Sequence, residues 1–286
     1  MPLDVAAGAR PLPDTSLPAS VEATLTFAVR AAEKAFVLTY DPPEGQPRTN
    51  TVYADHVVTV ENARPFADRL SLDVEGIAVA SSRTAVRDLW DEAQTLALGH
   101  PETAELVKAV TGASRVVVFD HTLRKSSVQG FVRAPGRAQP PASRAHVDQT
   151  IASGPQRVRD IMGEQAEALL EGRAAIINVW RPIHHPARAW PLGLGDARSI
   201  DQADLVETDL VFPHRKGEIY GVAHNPRQRW LYVPDLQPDE AILIKCWDSD
   251  PSVARFAPHT GFEDPTTPPG TPPRESIEFR TIAFFD

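Results

Sequence analysis

Short segments rich in apolar residues, separated by turns, make up the second half of the chain. They predict strands at residues 115–119, 175–180, 218–222, 229–233, 241–247 and 274–285. Loops are predicted at 130–141 and 186–195, where proline and glycine are frequent. One helix interrupts the series over residues 155–173, where apolar side chains recur at three- and four-residue spacing. Many short strands with few helices indicate a mainly β fold, a jelly-roll barrel with flanking helices.

The first part of the chain has a less regular pattern. Residues 1–20 contain four prolines and predict a flexible leader. Residues 21–114 combine strand-like segments with helical spacing over 84–100 and 101–111. We therefore expect a mixed α/β N-terminal part that packs on a jelly-roll core formed by residues 115–286.

Composition and charge narrow the classes of function. The 286 residues are 42% hydrophobic and 23% charged, as in ordinary globular proteins. The net charge of −9 argues against nucleic acid or an anionic membrane as a partner, and no apolar run is long enough to span a bilayer. Cys246 is the only cysteine and the start of the chain lacks a signal-peptide pattern, so we expect a cytoplasmic protein. We expect a small-molecule substrate and leave a homodimer open.

A histidine and an aspartate two residues apart are the main candidates for chemistry. His146 and Asp148 would share one face of a strand, so a ring nitrogen and a carboxylate oxygen could bind the same metal ion. His259, far along the chain, would supply a third ligand. Two histidines and one carboxylate leave coordination positions open, as in non-haem Fe(II) oxygenases. The pair alone is weak evidence, because nine histidines make it a common coincidence.

Polar residues on otherwise apolar strands are candidates for a substrate pocket. Asn178 and Trp180 share one face of their strand, and Arg181 ends it. A buried amide needs hydrogen-bond partners, so Asn178 fits a structural role and a substrate contact equally well. Tyr232 shares a face with Trp230, and core packing is the default for both. We predict Asn178, Trp180, Arg181 and Tyr232 as pocket residues.

Several short segments in the region of roughly residues 115–285 form a recognisable series. They are His146-Val-Asp-Gln-Thr, Asn178-Val-Trp-Arg-Pro, Pro191-Leu with Asp196, Trp230-Leu-Tyr, Asp239-Glu240 with Lys245-Cys-Trp-Asp-Ser, Pro258-His-Thr-Gly-Phe, and Pro273-Arg-Glu-Ser-Ile-Glu-Phe-Arg. Taken together in this order, they resemble the Fe(II)/2-oxoglutarate-dependent hydroxylase/desaturase family of secondary metabolism. That family includes the small component of the cephamycin C7-methoxylation system and fungal hydroxylases, desaturases and an endoperoxide synthase.

The resemblance implies a double-stranded β-helix barrel, the cupin-like form of the jelly roll. It also implies that His146, Asp148 and His259 hold Fe(II), and that 2-oxoglutarate and O2 are cosubstrates. The implied activity is a dioxygenase that couples oxidative decarboxylation of 2-oxoglutarate to hydroxylation or desaturation of a small natural product.

Two arginines on the last predicted strand compete for the far carboxylate of 2-oxoglutarate. Arg274 and Arg280 lie on the same face, roughly 20 Å apart, so one cosubstrate cannot contact both. Ser276 lies beside Arg274, and an Arg-x-Ser pair can bind one carboxylate from two sides. Glu278 is placed to neutralise Arg280. We therefore predict that Arg274 and Ser276 bind the cosubstrate, with Arg280 as the alternative.

Two other functions stay open from the sequence. A cupin-type metal hydrolase or isomerase would use the same three ligands without 2-oxoglutarate. A non-catalytic partner protein of a biosynthetic enzyme would keep the barrel without the chemistry. The convergence of four polar groups favours an enzyme, and the signature motifs of zincins, α/β-hydrolases, P-loop proteins and Rossmann enzymes are absent from the sequence.

Overall fold

Two β-sheets form the framework of the computed structural model, which describes residues 17–127 and 137–286. Within those ranges the larger sheet has nine strands, in the order β1 (Ser20–Ala28), β3 (Tyr53–Asn62), β11 (Trp230–Tyr232), β8 (Leu192–Gly195), β13 (His259–Gly261), β6 (His146–Val147), β10 (Lys216–Val222), β9 (Leu205–Val211) and β2 (Ala35–Leu38). The smaller sheet has five, in the order β4 (Ile77–Ser81), β12 (Glu240–Asp248), β7 (Ala174–Pro182), β14 (Glu275–Phe284) and β5 (Arg115–Lys125). Residues 21–114 therefore contribute strands to both sheets.

The helices are short and cover the outside of this framework. They are α1 (Glu92–Gln94), a π-helical turn (Thr95–Gly99), α2 (His100–Thr111), α3 (Ser153–Met162) and α4 (Ala166–Leu170), with 3-10 turns at Arg64–Arg69, Gly163–Gln165, Ala197–Ser199 and Gln202–Asp204. Helix α2 ends at Gly112, which has a φ of 74° and donates its N–H to the carbonyl of Lys108. In the part of the chain that the structure describes, no helix is both long and apolar enough to cross a membrane.

Strand β7 shows how the core is arranged. All nine of its residues are buried, because it lies at the centre of the smaller sheet with both faces covered. Ile176 belongs to the core between the two sheets, together with Val147 of β6. Ile177 packs on the other side, in a cluster that includes Val107 of helix α2. Two facing sheets with helices outside form a jelly roll, which confirms the fold predicted from the strand pattern.

The predicted helix over residues 84–100 is wrong in its first half. The helical conformation begins only at Glu92, because the Asp91 side chain accepts hydrogen bonds from the first N–H groups of α1. The preceding segment is fixed by Glu102, whose carboxylate binds the hydroxyl of Thr84 and the N–H of Ala85. The helical spacing of this segment reflects burial of its apolar residues and not helix formation.

Other boundaries also differ from the predicted ones. The loop predicted over residues 186–195 contains β8 at its end. The predicted leader gives way to β1 at Ser20, and its first 16 residues lie outside the described ranges, as does most of the loop at 130–141. The predicted helix over 155–173 is divided into α3 and α4 by Gly163, which has a φ of 55°.

We expect Gly154→Ala to destabilise the protein. Helix α3 lies so close to Trp247 that a Cβ atom at position 154 would come within 2.4 Å of the indole ring. Overpacking of this kind costs about 1–3 kcal/mol of unfolding free energy. Denaturant unfolding measures the effect, and Gly217→Ala is the control because its nearest neighbouring atom would be 3.7 Å away. Equal stability of both variants would contradict the close packing of α3.

Candidate active site

Two strands that are far apart in the sequence bring two histidines together. Strand β6 lies between β13 and β10, and His259 is the direct antiparallel partner of His146. Directly opposed residues project from the same face of a sheet, and here the ring centroids are 4.5 Å apart. Asp148 follows β6, and one ligand atom from each of the three residues lies within 4.8 Å of the others. This triad therefore has the convergence that a single metal ion requires.

The hydrogen bonds of the two histidines orient their rings. Nδ1 of His146 lies 2.8 Å from the carbonyl oxygen of Arg144, and Nδ1 of His259 lies 3.3 Å from that of Ala257. A ring that donates from Nδ1 to a carbonyl carries its lone pair on Nε2. Burial and the neighbouring His146 lower the pKa of His259, which favours the neutral ring that metal binding needs. Burial alone would lower the pKa of His146 as well, but its hydrogen bond with Asp148 raises it, so a metal ion that binds at Nε2 of His146 displaces a proton.

The smaller sheet holds the third member of the triad. Oδ2 of Asp148 accepts a hydrogen bond of 2.8 Å from Nδ2 of Asn178 and one of 3.3 Å from Nε of Arg280. Oδ1 lies 3.4 Å from Nε2 of His146. Burial by itself would raise the pKa of Asp148, but the hydrogen bond with His146 and the charge of Arg280 hold it well below its usual range. The carboxylate is therefore ionised, with Oδ1 on the side of the histidines.

Asn178→Ala should weaken metal binding without removing a ligand. The variant loses the hydrogen bond that orients Asp148. Loss of a residue that hydrogen-bonds a metal ligand lowers the metal affinity by roughly 10–100-fold. Titration of the metal-free protein with Mn(II) or Co(II) measures the change. Ile176→Val, on the same face of the same strand, should bind the metal as the parent protein does. An unchanged affinity of Asn178→Ala would mean that the amide is only structural.

Arg280 is occupied by carboxylates. Besides Asp148 it donates to Asp120 at 3.0 Å and Thr122 at 2.9 Å through Nη1, and to Glu278 at 2.7 Å through Nη2. Four of the five N–H donors of a guanidinium are thereby used. Arg280 therefore stabilises the triad and has little capacity for a further carboxylate.

A small enclosed cavity beside the triad ends in a different arginine. His146, His259 and Trp180 line it together with Arg274. Arg274 is 1% exposed, and its guanidinium carbon lies 5.5 Å from the centre of a Trp180 ring. Nη1 donates to the carbonyl of Trp190 at 2.7 Å, whereas Nε has no hydrogen-bond partner among the described residues. A buried cation that has an unpaired donor thus lines the same cavity as the two histidines.

Ser276 adds a second unpaired group next to Arg274. Its Oγ is buried and has no hydrogen-bond partner in the described ranges. Burial, with a smaller contribution from the charge of Arg124, lowers the pKa of Arg274 to about 9. An unsatisfied buried polar group costs about 1–3 kcal/mol. A carboxylate in the cavity would contact Arg274, which lines it, and would supply the missing negative charge.

Comparisons with known proteins assign this arrangement to a family. The YDMC family model, an oxidoreductase/YMDC permease-like domain, matches residues 25–284. The Fe(II)/2-oxoglutarate-dependent dioxygenase nvfI of Aspergillus novofumigatus is 30% identical over 251 residues, which cover 85% of this chain and 88% of that protein. The hydroxylase/desaturase CTB9 of Cercospora beticola is 33% identical over 258 residues, with coverage of 82% and 78%. The solved structure of the iron and alpha-ketoglutarate-dependent endoperoxidase NvfI matches with a TM-score of 0.85 at 28% identity and covers 93% of this chain and 98% of its own. The chain belongs to the Fe(II)/2-oxoglutarate-dependent dioxygenases.

The residues of this dioxygenase fit the cofactors that its family requires. Two imidazoles and one carboxylate are a donor set suited to Fe(II), with positions left open for cosubstrates. The unpaired Nε of Arg274 and Oγ of Ser276 suit the carboxylate of 2-oxoglutarate that points away from the metal. The prediction that this protein is an enzyme is therefore confirmed, and the alternative of a non-catalytic partner protein is not supported.

The four predicted pocket residues lie in different parts of the structure. Asn178 and Trp180 face the triad and the cavity beside it, as described above. Arg181 lies on the opposite face of β7, where its guanidinium donates to the backbone carbonyls of Ser82 and Pro238. Tyr232 is buried in the core between the sheets, with its ring centroid 5.7 Å from that of Phe262. The structure thus brings two of the four residues to the site.

One residue that borders the cavity was missed in the sequence. Arg124 of β5 lies directly opposite Ser276 of β14 and lines the cavity with Arg274. Its Nη1 donates to the carbonyl of Pro140 at 2.9 Å. The signal was present in β5, where Asp120, Thr122 and Arg124 are spaced two residues apart and therefore share one face of the strand.

Proposed function

We propose that this dioxygenase hydroxylates or desaturates a small natural product, with Fe(II) bound by His146, Asp148 and His259 and the far carboxylate of 2-oxoglutarate bound by Arg274 and Ser276. The observation that carries the proposal is the buried Arg274, which has an unpaired donor and lines the same cavity as the histidines. A hydrolase or isomerase that used the same ligands would have no need of a buried cation there.

Each residue has a separate task in this proposal. The histidines and Asp148 present three donors on one side of the metal, and Asn178 and Arg280 fix the carboxylate between them. Arg274 and Ser276 orient the cosubstrate, while the indole of Trp180 covers the guanidinium and keeps water from it. Bound iron supplies the oxidising chemistry when 2-oxoglutarate and O2 are present.

Turnover of 2-oxoglutarate tests the proposal directly. The purified protein with Fe(II) and air should convert 2-oxoglutarate slowly to succinate and CO2, even without a primary substrate. Chelation of the metal should stop succinate formation. A protein that binds the metal but neither binds nor consumes 2-oxoglutarate would instead support the cupin-type hydrolase or isomerase.

We also propose that the enzyme works in the cytoplasm. Cys246, the single cysteine of the chain, is buried, and burial raises the pKa of its thiol well above the usual range, so the thiol is protected in its reduced form. Fractionation of the producing cell tests the location. Sedimentation of the purified chain tests the homodimer.

A further inference from the structure

A second cavity borders the triad from another side. It has a volume of about 390 Å3, and Asp148, Gln149, Arg157, Phe212 and Arg215 are among the residues that line it. Asp148 is the triad member that it reaches, whereas His146 and His259 line the small cavity that ends in Arg274. A volume of this size lies in the range of small-molecule sites, roughly 300–1,000 Å3. The second cavity therefore has the size and position to hold a primary substrate next to the metal.

The lysines of this cavity are already neutralised. Lys34 lies 2.9 Å from Asp209 and 2.5 Å from Glu218, and Lys216 lies 2.5 Å from Asp209. These contacts join strands β9 and β10 to the segment before β2. The charges of both lysines are therefore balanced within the protein, and they leave no excess positive charge to bind a ligand.

Unlike the two lysines, the two arginines of the cavity have no carboxylate partner in direct contact among the residues that the structure describes. Arg157 of α3 lies over the ring of Phe119 at 5.8 Å, and Arg215 lies over the ring of Phe212 at 3.8 Å. Neither guanidinium forms an ion pair or a hydrogen bond with the residues at 17–127 and 137–286. Burial lowers the pKa of Arg157, and the positive charge of Arg215 lowers it further. Two like charges therefore share one cavity without a direct ion pair in the described part of the chain, and an anionic ligand would relieve their repulsion.

The remaining charge indicates what kind of anion fits. Asp160, one turn after Arg157 on α3, also lines the cavity and offsets one of the two guanidinium charges. Asp148 is held by Arg280 and belongs to the triad. After these pairings one positive charge is left, which matches a carboxylate better than a doubly charged phosphate.

We propose that Arg157 and Arg215 bind a carboxylate group of the primary substrate and that this dioxygenase acts on small organic acids. The proposal rests on the proposed function, because it assigns the second cavity to the molecule that is oxidised. Guanidinium groups bind a carboxylate through charge-assisted hydrogen bonds, and the phenyl rings beneath them keep the two side chains in place.

Binding of matched acids and amides tests this assignment. The full chain, loaded with Mn(II) and saturating 2-oxoglutarate, is titrated at low salt with aromatic and aliphatic carboxylic acids of increasing size and with the primary amide of each. Ligand-observed NMR gives the affinities without turnover. Acids should bind about tenfold or more tightly than their amides, because only the acids carry the charge that the arginines recognise. The Arg157→Gln/Arg215→Gln double variant should bind acids and amides equally.

Arg159→Gln is the control, because Arg159 lies on the same helix but pairs with Glu167 away from the cavity. This variant should keep the preference for acids. The proposal is overturned if no acid binds the parent protein better than its amide, if the double variant keeps the preference, or if saturation with 2-oxoglutarate removes it, since the acids would then occupy the Arg274 cavity. Failure of the parent protein to bind Mn(II) and 2-oxoglutarate would count against the proposed function alone, because the acid preference can be measured on the metal-free chain.

Discussion

Arg274→Gln should raise the dissociation constant of 2-oxoglutarate by roughly 30- to 4,000-fold. Loss of one partner from a buried, hydrogen-bonded charge pair costs about 2–5 kcal/mol. Arg274 is 1% exposed and its Nε has no partner among the residues that the structure describes, so the bound carboxylate would gain the full benefit of this donor. Calorimetric titration with 2-oxoglutarate, with Mn(II) in place of Fe(II), measures the constant without turnover. Arg274→Lys should lie between the parent and the glutamine variant, because it keeps the charge but loses the two-pronged donor.

Arg280→Gln is the matched comparison on the same strand. Because Arg280 donates to Asp148, Asp120 and Glu278, its loss should weaken Mn(II) binding roughly 10–100-fold through the misplaced Asp148. Once the metal is saturated, the affinity for 2-oxoglutarate should change little. The roles of the two arginines would have to be exchanged if the cosubstrate constant rose in Arg280→Gln and stayed within twofold in Arg274→Gln.

The metal triad shows which ligands can be predicted from residue spacing and which cannot. The distance of two residues between His146 and Asp148 suggested a shared site, but it could not select His259 as their partner. Strands β6 and β13 are two and three residues long, too short for an alternating pattern, and one directly opposed pair defines their register. The pairing depends on strands contributed from distant parts of the chain. For this reason His259 was predicted from its position in the order of motifs along the chain and from the resemblance to a family, and not from periodicity.

The segment before α1 shows the opposite error, because its periodicity was read too literally. Val86 and Leu89 are 7% and 5% exposed, and they belong to the same core cluster as Val107 of α2. Two apolar residues three positions apart satisfy a helical pattern, yet here side-chain caps from Asp91 and Glu102 fix a non-helical path. Spacing reports which residues are buried together, and the capping side chains determine where the helix starts.

Contacts between side chains of the two sheets were the hardest feature to predict from the sequence. The amide of Asn178 indicated that a buried partner was needed, but the partner, Asp148, comes from the other sheet. In the same way, Glu278 was expected to neutralise Arg280, and it does so at 2.7 Å, while the further bond from Arg280 to Asp148 had no signal in the sequence. A strand pattern predicts which side chains point inward, and the packing of one sheet on the other decides which of them meet.

Asp148→Ala should abolish metal-dependent turnover. The variant removes the one carboxylate of the triad, so its loss of Mn(II) affinity should exceed the roughly 10–100-fold expected for an outer partner. Succinate formation from 2-oxoglutarate should fall to the level without metal. His259→Ala should behave in the same way, because it removes the nitrogen donor that β13 contributes. Asp148→Glu should also impair binding, since the longer side chain moves its oxygen away from the position that Asn178 and Arg280 define.

The fold should survive these changes, which separates a missing ligand from an unfolded protein. In Asp148→Ala, Arg280 still has Asp120 and Glu278 as carboxylate partners, so no buried cation is left unpaired. Thermal unfolding of the metal-free variant should therefore remain cooperative and close to that of the metal-free parent. Asp250→Ala, which changes a partly exposed loop aspartate that accepts a hydrogen bond from Ser252, should keep both Mn(II) affinity and succinate formation. If Asp148→Ala bound Mn(II) within tenfold of the parent and still produced succinate, the carboxylate ligand would have to lie elsewhere in the barrel.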